Sequence, residues 1–252
     1  MKLTATVALL LTLQLCVPGA QVSKDNPKPA APAEKVRPRE AAGRVVVCID
    51  PGHPSEVASG RQEQHGTNET RVAWEVALKL KAALEARGYE VVLTKSREDE
   101  LVRNRDRAEA ANRARAALMV RLHCDASVEH GFAVYYPDRA GRARDGRVGP
   151  APGVVEASGR AARAIHAGMA EGLRGFLHDN GVRTDYQTKV GREQGGALTG
   201  SIFSAVPVVT VEMVVLSDER DAEFIKAEEG QRRMAEAIAD GVTRFVAPEK
   251  AN

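Results

Sequence analysis

Three apolar runs in this chain each end on an ionisable side chain, and that repetition limits the fold more than any other feature. The first is Val45-Val46-Val47-Cys48-Ile49-Asp50-Pro51-Gly52-His53. Its apolar stretch halts at an Asp, a turn dipeptide and a histidine. An unbroken run of β-branched residues predicts a strand buried on both faces, as in a parallel sheet, because a half-exposed strand would alternate. The second run, Ala116-Ala117-Leu118-Met119-Val120-Arg121-Leu122-His123, ends on a histidine with Asp125 close behind. The third, Val206-Pro207-Val208-Val209-Thr210-Val211-Glu212, ends on a glutamate. Ligands of open α/β sheets bind in the crevice outside the strand carboxyl ends. His53, His123 and Glu212 are therefore expected at one edge of one sheet.

The segments between these runs fit the same architecture. From Asn68 onward Val72, Val76, Leu80 and Leu84 fall at helical spacing, with Trp74, Ala77 and Leu78 widening the stripe. Arg87-Gly88 stops this helix, and Thr67 or Asn68 caps it, which puts Glu69 in its first turn. Residues 89–94 form a short strand, completing a strand, helix, strand order. Residues 103–115 alternate charge with alanine and read as an exposed helix whose arginines are solvated. Residues 131–136 are a strand, antiparallel because the connection before it is too short for a crossover helix. A helix is expected over 156–177, a glycine-rich rim or lid over 179–200, and two short helices over about 218–228 and 231–245. The fold class is α/β: a single domain with a mostly parallel twisted sheet of about six strands, flanked by helices on both faces.

Residues 1–20 combine a Lys, an apolar run of secretory length and small residues at Gly19 and Ala20, the pattern of a cleaved signal peptide. The run is too short for a good membrane span. Lipidation through Cys16 is disfavoured, since the large Leu15 precedes it. Residues 21–42 are rich in Pro, Ala, Lys and Glu, too poor in large apolar groups to fold, and are expected to be a linker. Residues 43–248 are left as the folded domain, exported to a periplasmic or extracellular setting. Its two cysteines, Cys48 and Cys124, are equally compatible with a disulfide or with two buried thiols. A formal charge of +2 gives no broad electrostatic footprint for nucleic acid.

The ionisable residues suggest a metal site. Zinc hydrolases commonly use three N or O ligands, a His2Glu set among them, and keep a fourth position for water. His53, Glu69 and His123 supply such a set for one zinc ion, and Glu212 a general acid/base. Spacing leaves open an exchange of roles between Glu69 and Glu212. His65, His130, His166 and His178 read as loop, surface or helix-face residues.

These motifs resemble the zinc-dependent N-acetylmuramoyl-L-alanine amidases of the cell-wall amidase 3 family. The resemblance rests on Ile49-Asp50-Pro51-Gly52-His53, on Glu69 with the following Val72-Ala73-Trp74 and Ala77, and on Leu122-His123-Cys124-Asp125-Ala126. It continues through Gly131-Phe132-Ala133-Val134-Tyr135-Tyr136 and the strand ending at Glu212, collinear from about residue 44 to 246. It implies zinc ligation by His53, Glu69 and His123, catalysis by Glu212, and hydrolysis of the amide between the muramic acid lactyl group and L-alanine in peptidoglycan.

Two departures stand out: Pro54-Ser55 replaces a Gly-Gly after the first histidine, and Arg121 occupies a position usually held by a small residue. Arg121 is either a partner for a substrate carboxylate or half of an ion pair behind the strand, the second being favoured. Arg121, Asp125, Gln194 and Thr199 are the candidate substrate contacts. Some relatives carry a helical insertion that blocks the zinc until an activator protein moves it. The segment after Tyr136 is polar and rich in Gly and Pro, so no such helix and no activator are expected, and the enzyme is expected to be monomeric. A zinc peptidase of the same layout, or an inactive wall-binding homologue, are the alternatives.

Overall fold

The computed structural model describes residues 44–57, 60–124 and 130–247. The expected signal peptide, the linker and Asp125 lie outside these residues. Eight strands appear in chain order: β1 Val46–Pro51, β2 Glu90–Leu93, β3 Leu118–His123, β4 Phe132–Tyr136, β5 Gly141–Arg142, β6 Val148–Gly149, β7 Asp179–Thr184 and β8 Val208–Glu212. The helices are α1 Glu69–Ala86, α2 Asn104–Arg113, α3 Pro152–Gly172, α4 Lys189–Glu193, α5 Thr199–Ile202, α6 Glu219–Lys226 and α7 Glu228–Phe245.

Six strands form one sheet in the order β2-β1-β3-β8-β4-β7, while β5 and β6 make a separate two-stranded pair. β2, β1, β3 and β8 are mutually parallel, and β4 runs antiparallel to β8. The three apolar runs are thus adjacent central strands, buried on both faces as their unbroken hydrophobicity requires. Their parallel register pairs Asp50 with Arg121 and His123 with Glu212. All three runs consequently finish at the same edge of the sheet.

One face carries α1, α3 and α7. Val47, Ile49, Leu118, Val120, Leu122, Val209 and Val211 point into a core with Val76 and Leu80 of α1, Ile165 and Met169 of α3, and Ile238 and Val242 of α7. The other face is thinner. Cys48, Met119 and Val208 meet Ala111 of α2 there, and Ala108 of α2 packs with Ile202 and Phe203 at the end of α5. Among the described residues no helix is long and apolar enough to cross a membrane.

Four expectations are corrected. Residues 179–184 are the edge strand β7, paired in parallel with β4, where a rim or lid was expected. Their sequence, Asp-Asn-Gly-Val-Arg-Thr, has a single apolar residue because an edge strand is only half covered. The third helix begins earlier, at Pro152, which suits the first turn since its missing N–H needs no partner there. In α1, Leu78 is 44% exposed and lies off the buried stripe. In α2 the arginines are not uniformly solvated: Arg107 is 1% exposed.

Candidate metal centre

His53 leaves β1 through Pro51-Gly52, Glu69 opens α1, and His123 ends β3. α1 starts at Asn68, whose side-chain oxygen accepts from the Arg71 N–H at 3.0 Å, satisfying an otherwise orphaned donor of the first turn. That cap fixes where Glu69 emerges. Glu69 then faces both histidines: His53 Nε2 lies 3.4 Å from Glu69 Oε2, and His123 Nδ1 lies 2.9 Å from Glu69 Oε1. The Cys124 N–H also donates to Glu69 Oε1, at 3.2 Å. The two imidazoles meet edge to face with centroids 5.3 Å apart.

The donor set fits a zinc ion. One donor atom from each of His53, Glu69 and His123 lies within 4.8 Å of the others. Ligand bonds of about 2.0–2.2 Å at tetrahedral angles place neighbouring donors about 3.3–3.6 Å apart, a range that includes the 3.4 Å between His53 and Glu69, while His123 and Glu69 are closer at 2.9 Å. His123 Nε2 is itself buried with no partner among the described residues. The protonation states also suit a cation. Burial lowers the His53 pKa to about 4, against the pull of Glu69 and with help from His123, Arg107 and Arg121. Burial opposes ionisation of Glu69, but the hydrogen bond from His123, both histidines and the Cys124 N–H outweigh it and leave its pKa lowered. At neutral pH the site therefore presents a neutral imidazole at His53 and a carboxylate, the forms that metals bind.

Two glycines clear space for the histidine rings. A Cβ on Gly52 would sit 2.7 Å from His123 Cε1 and from the Leu122 carbonyl oxygen. Gly60, at φ +82°, lies so close to His53 that a Cβ would fall 2.4 Å from its Cγ. Pro-Gly after β1 and the glycine in the following loop are thus fixed by the site as much as by turn chemistry.

A buried cationic cradle holds the His53 turn from behind. Arg107 Nη1 donates to Asp50 Oδ1 at 2.7 Å and to the Pro51 carbonyl at 2.6 Å, Nη2 to the Pro54 carbonyl at 2.9 Å, and Nε to the Val102 carbonyl at 2.9 Å. Lys95 Nζ donates to the His53 carbonyl itself. Arg121 Nε binds Asp50 Oδ2 at 2.9 Å, and its Nη2 binds Asn104 Oδ1 at 2.7 Å. Burial pushes the Asp50 carboxyl up, but Arg107, Arg121 and the Thr94 hydroxyl outweigh it and hold its pKa well below the usual range. Arg121 is 3% exposed and occupied in this network, the ion-pair alternative of its two readings.

A cleft of about 680 Å³ opens over the three candidate ligands and Glu212. Its walls come from the loop between His53 and Glu69, through Pro54, Ser55, Val57, Arg61, Gln62 and Gln64, and from Leu101. Gln194 and Thr199 are not among the lining residues. They bond each other, Nε2 to Oγ1 at 2.9 Å, in the α4–α5 segment. Of that segment, α5 packs on α2 and α4 on the turn at residues 185–187. Arg61, Gln62 and Gln64 were missed by the sequence reading, although a polar loop joining two candidate ligands has to border the site. His65 is turned away, with Nε2 3.3 Å from the Ser217 carbonyl. His130 stacks on His178, and His166 pairs with Asp179, both remote from the cleft lining. Cys48 and Cys124 are buried thiols not joined to each other, and burial followed by the Asp50 charge raises the Cys48 thiol pKa strongly.

Residues 47–244 match the family model described as N-acetylmuramoyl-L-alanine amidase. The chain is 27% identical over 246 residues to the N-acetylmuramoyl-L-alanine amidase Rv3717 of Mycobacterium tuberculosis, covering 88% of this chain and 94% of that one. It is 27% identical over 244 residues to the amidase AmiC of Neisseria meningitidis serogroup B, covering 85% of this chain and 56% of the relative. The catalytic domain of CwlV, an N-acetylmuramoyl-L-alanine amidase from Bacillus (Paenibacillus) polymyxa var. colistinus, superposes with a TM-score of 0.61 at 25% identity. That superposition covers 80% of this chain and 97% of that one.

Proposed function

Since the chain belongs to the N-acetylmuramoyl-L-alanine amidase family and its chemistry is hydrolysis of a peptidoglycan amide, we propose that one zinc ion held by His53, Glu69 and His123 serves that reaction, with Glu212 as the acid/base. The observation that carries the assignment is the single carboxylate of Glu69 facing both histidines, with Glu212 outside that triad but lining the same cleft. This division of labour favours Glu69 as ligand and Glu212 as base. A zinc ion bound there supplies Lewis-acid polarisation of the scissile carbonyl and a water acidic enough to attack near neutral pH.

The chain's own residues do the rest. Glu212, at the end of a central strand in register with His123, takes the proton from the attacking water and passes it to the departing alanine nitrogen. Its rigid mounting matters because a base must stay within hydrogen-bond reach of both atoms in turn. Arg107 and Lys95 hold the carbonyls of Pro51, His53 and Pro54, keeping the first imidazole aimed at the centre.

In this reading residues 1–20 direct export, residues 21–42 tether the domain, and the enzyme works as a monomer without an activator. The absence of any helix between Tyr136 and Pro152, where only β5 and β6 lie, supports the last point. Purified protein incubated with muropeptides is expected to release intact stem peptide with a free alanine amine and a free lactyl carboxyl, both identifiable by mass. Cleavage within the stem peptide would instead establish the peptidase alternative.

A further inference from the structure

The cleft holds one positive side chain, and the fold goes to some length to present it. Among the residues lining the cleft only Glu69, Glu212 and Arg61 carry a formal charge. In the reading above the two carboxylates offset a divalent ion, which leaves the Arg61 guanidinium as a charge that no described residue lining the cleft balances. Arg61 is exposed and has no ion pair or hydrogen bond among the described residues. Other arginines of this domain are engaged differently: Arg87, Arg105, Arg107, Arg121, Arg232 and Arg244 all have carboxylate partners.

The stretch that carries Arg61 is pinned on both sides. The Gly60 carbonyl accepts from the Thr70 N–H and from the Thr70 hydroxyl, each at 2.9 Å, tying Arg61 to the first turn of α1 one residue beyond Glu69. Gly60 also abuts the His53 ring. Further along, Gln64 and Thr67 exchange backbone hydrogen bonds at 2.7 and 3.0 Å, and Lys226 Nζ holds the His65 carbonyl at 2.8 Å. Arg61, Gln62 and Gln64 are therefore offered to the cleft by a backbone keyed to two of the candidate ligands. The cleft lining also includes Val57 and Leu101, 56% and 60% exposed, which supply apolar surface.

A substrate that fits is amphiphilic, with small apolar groups near the scissile amide and an anion a short distance away. We propose that Arg61 selects stem peptides that carry a free carboxylate on the residue following the alanine, against those in which that group is an amide. The inference rests on the amidase reading. A guanidinium and a carboxylate form the strongest of the ordinary charge-assisted contacts, whereas a neutral carboxamide offers a single weaker acceptor. A cleft of about 680 Å³ is the size of a small-molecule site, so the group that reaches Arg61 belongs to the residues beside the scissile bond and not to the distal stem.

The test uses the zinc-loaded full chain and two synthetic muramyl peptides that differ only in a carboxylate or a carboxamide at that position. The wild type is expected to show a kcat/KM about ten-fold higher on the acid, carried mainly by KM, as suits a contact present in ground and transition states alike. Arg61→Gln is expected to bring acid and amide within about two-fold of each other, and Arg61→Lys to keep part of the preference as a point charge without the planar fork. Zinc content and the circular-dichroism spectrum report whether the variants are folded. Equal cleavage of acid and amide by the wild type, or a preference that survives Arg61→Gln, overturns the role of Arg61 while leaving the amidase reading intact. Failure of the zinc-loaded wild type to cut either peptide at the lactyl amide overturns both.

Discussion

Replacing Asp50 by Asn removes one negative charge from between two buried guanidiniums and leaves the side-chain shape nearly unchanged. Asp50 is fully buried, Arg107 is 1% exposed and Arg121 is 3% exposed, so none of the three can turn to water when the balance is broken. The carboxylate takes Arg107 at 2.7 Å, Arg121 at 2.9 Å and the Thr94 hydroxyl at 2.5 Å. An Asn retains one carbonyl acceptor but turns an NH2 group toward a donor, so at least one charge-assisted bond is lost. Removing one partner of a buried ion pair typically costs about 3–5 kcal/mol, and that range is expected here. It is a large share of a total stability of about 5–15 kcal/mol. At roughly 2–4 °C per kcal/mol for a domain of this size, the midpoint should fall by on the order of 10 °C.

Urea unfolding followed by far-UV circular dichroism measures the difference. A loss below about 1 kcal/mol, in the range of an ordinary surface pair, would refute the view that the cradle is a tightly coupled buried network. The double variant Asp50→Asn/Arg121→Met removes one of the stranded cations. It is expected to be less destabilised than the sum of its parts, by about 1–3 kcal/mol of coupling. The sign with pH follows from the depressed pKa of Asp50. The carboxylate stabilises the folded state above its unfolded value of about 3.9, and that contribution is lost as pH falls toward the folded value. The gap between wild type and Asp50→Asn should therefore be constant at neutral pH and shrink as the pH drops below about 4.

Other expectations follow from the same geometry. Glu212→Gln should retain about one zinc per chain, measured by atomic emission, and lose at least about a hundred-fold in kcat, as expected for a general acid/base; full activity would return the base role to another group. Gly52→Ala and Gly60→Ala each press a methyl into a histidine ring. Both should weaken zinc binding by at least about ten-fold in chelator competition, a loss comparable to removing an outer partner of a metal ligand, with the fold kept. His123→Ala should lose zinc, whereas Gln194→Ala, remote from the cleft, should keep both zinc and activity.

The central strands were legible because burial on both faces leaves an unbroken apolar run, and their parallel register then brings His53, His123 and Glu212 to one edge. Glu69 was legible for a different reason: the Asn68 cap and the helical stripe fix its place in the first turn. β7 was not legible, since an edge strand of Asp-Asn-Gly-Val-Arg-Thr carries almost no apolar signal and its pairing with β4 depends on tertiary context. Arg107 was hidden among the arginines of α2. Charge alternation on a helix says nothing about which cation turns inward to meet a buried carboxylate. Arg121 shows the same limit. Its two readings differ only in what stands across from it, and the register with Asp50 supplies that partner. Gln194 and Thr199 lie close to β8 in sequence, yet they bond each other and α5 packs on α2, so nearness in sequence to Glu212 did not bring them into the cleft lining.

Titration of metal-stripped protein with zinc, while following release of free alanine amine from a muramyl peptide, tests the whole account at its centre. Activity is expected to be absent without metal, to rise linearly and to break at one equivalent, with no such rise in His53→Ala or His123→Ala. Undiminished cleavage by the stripped protein, or an equal response from either histidine variant, would contradict the claim that His53, Glu69 and His123 hold the ion that works with Glu212.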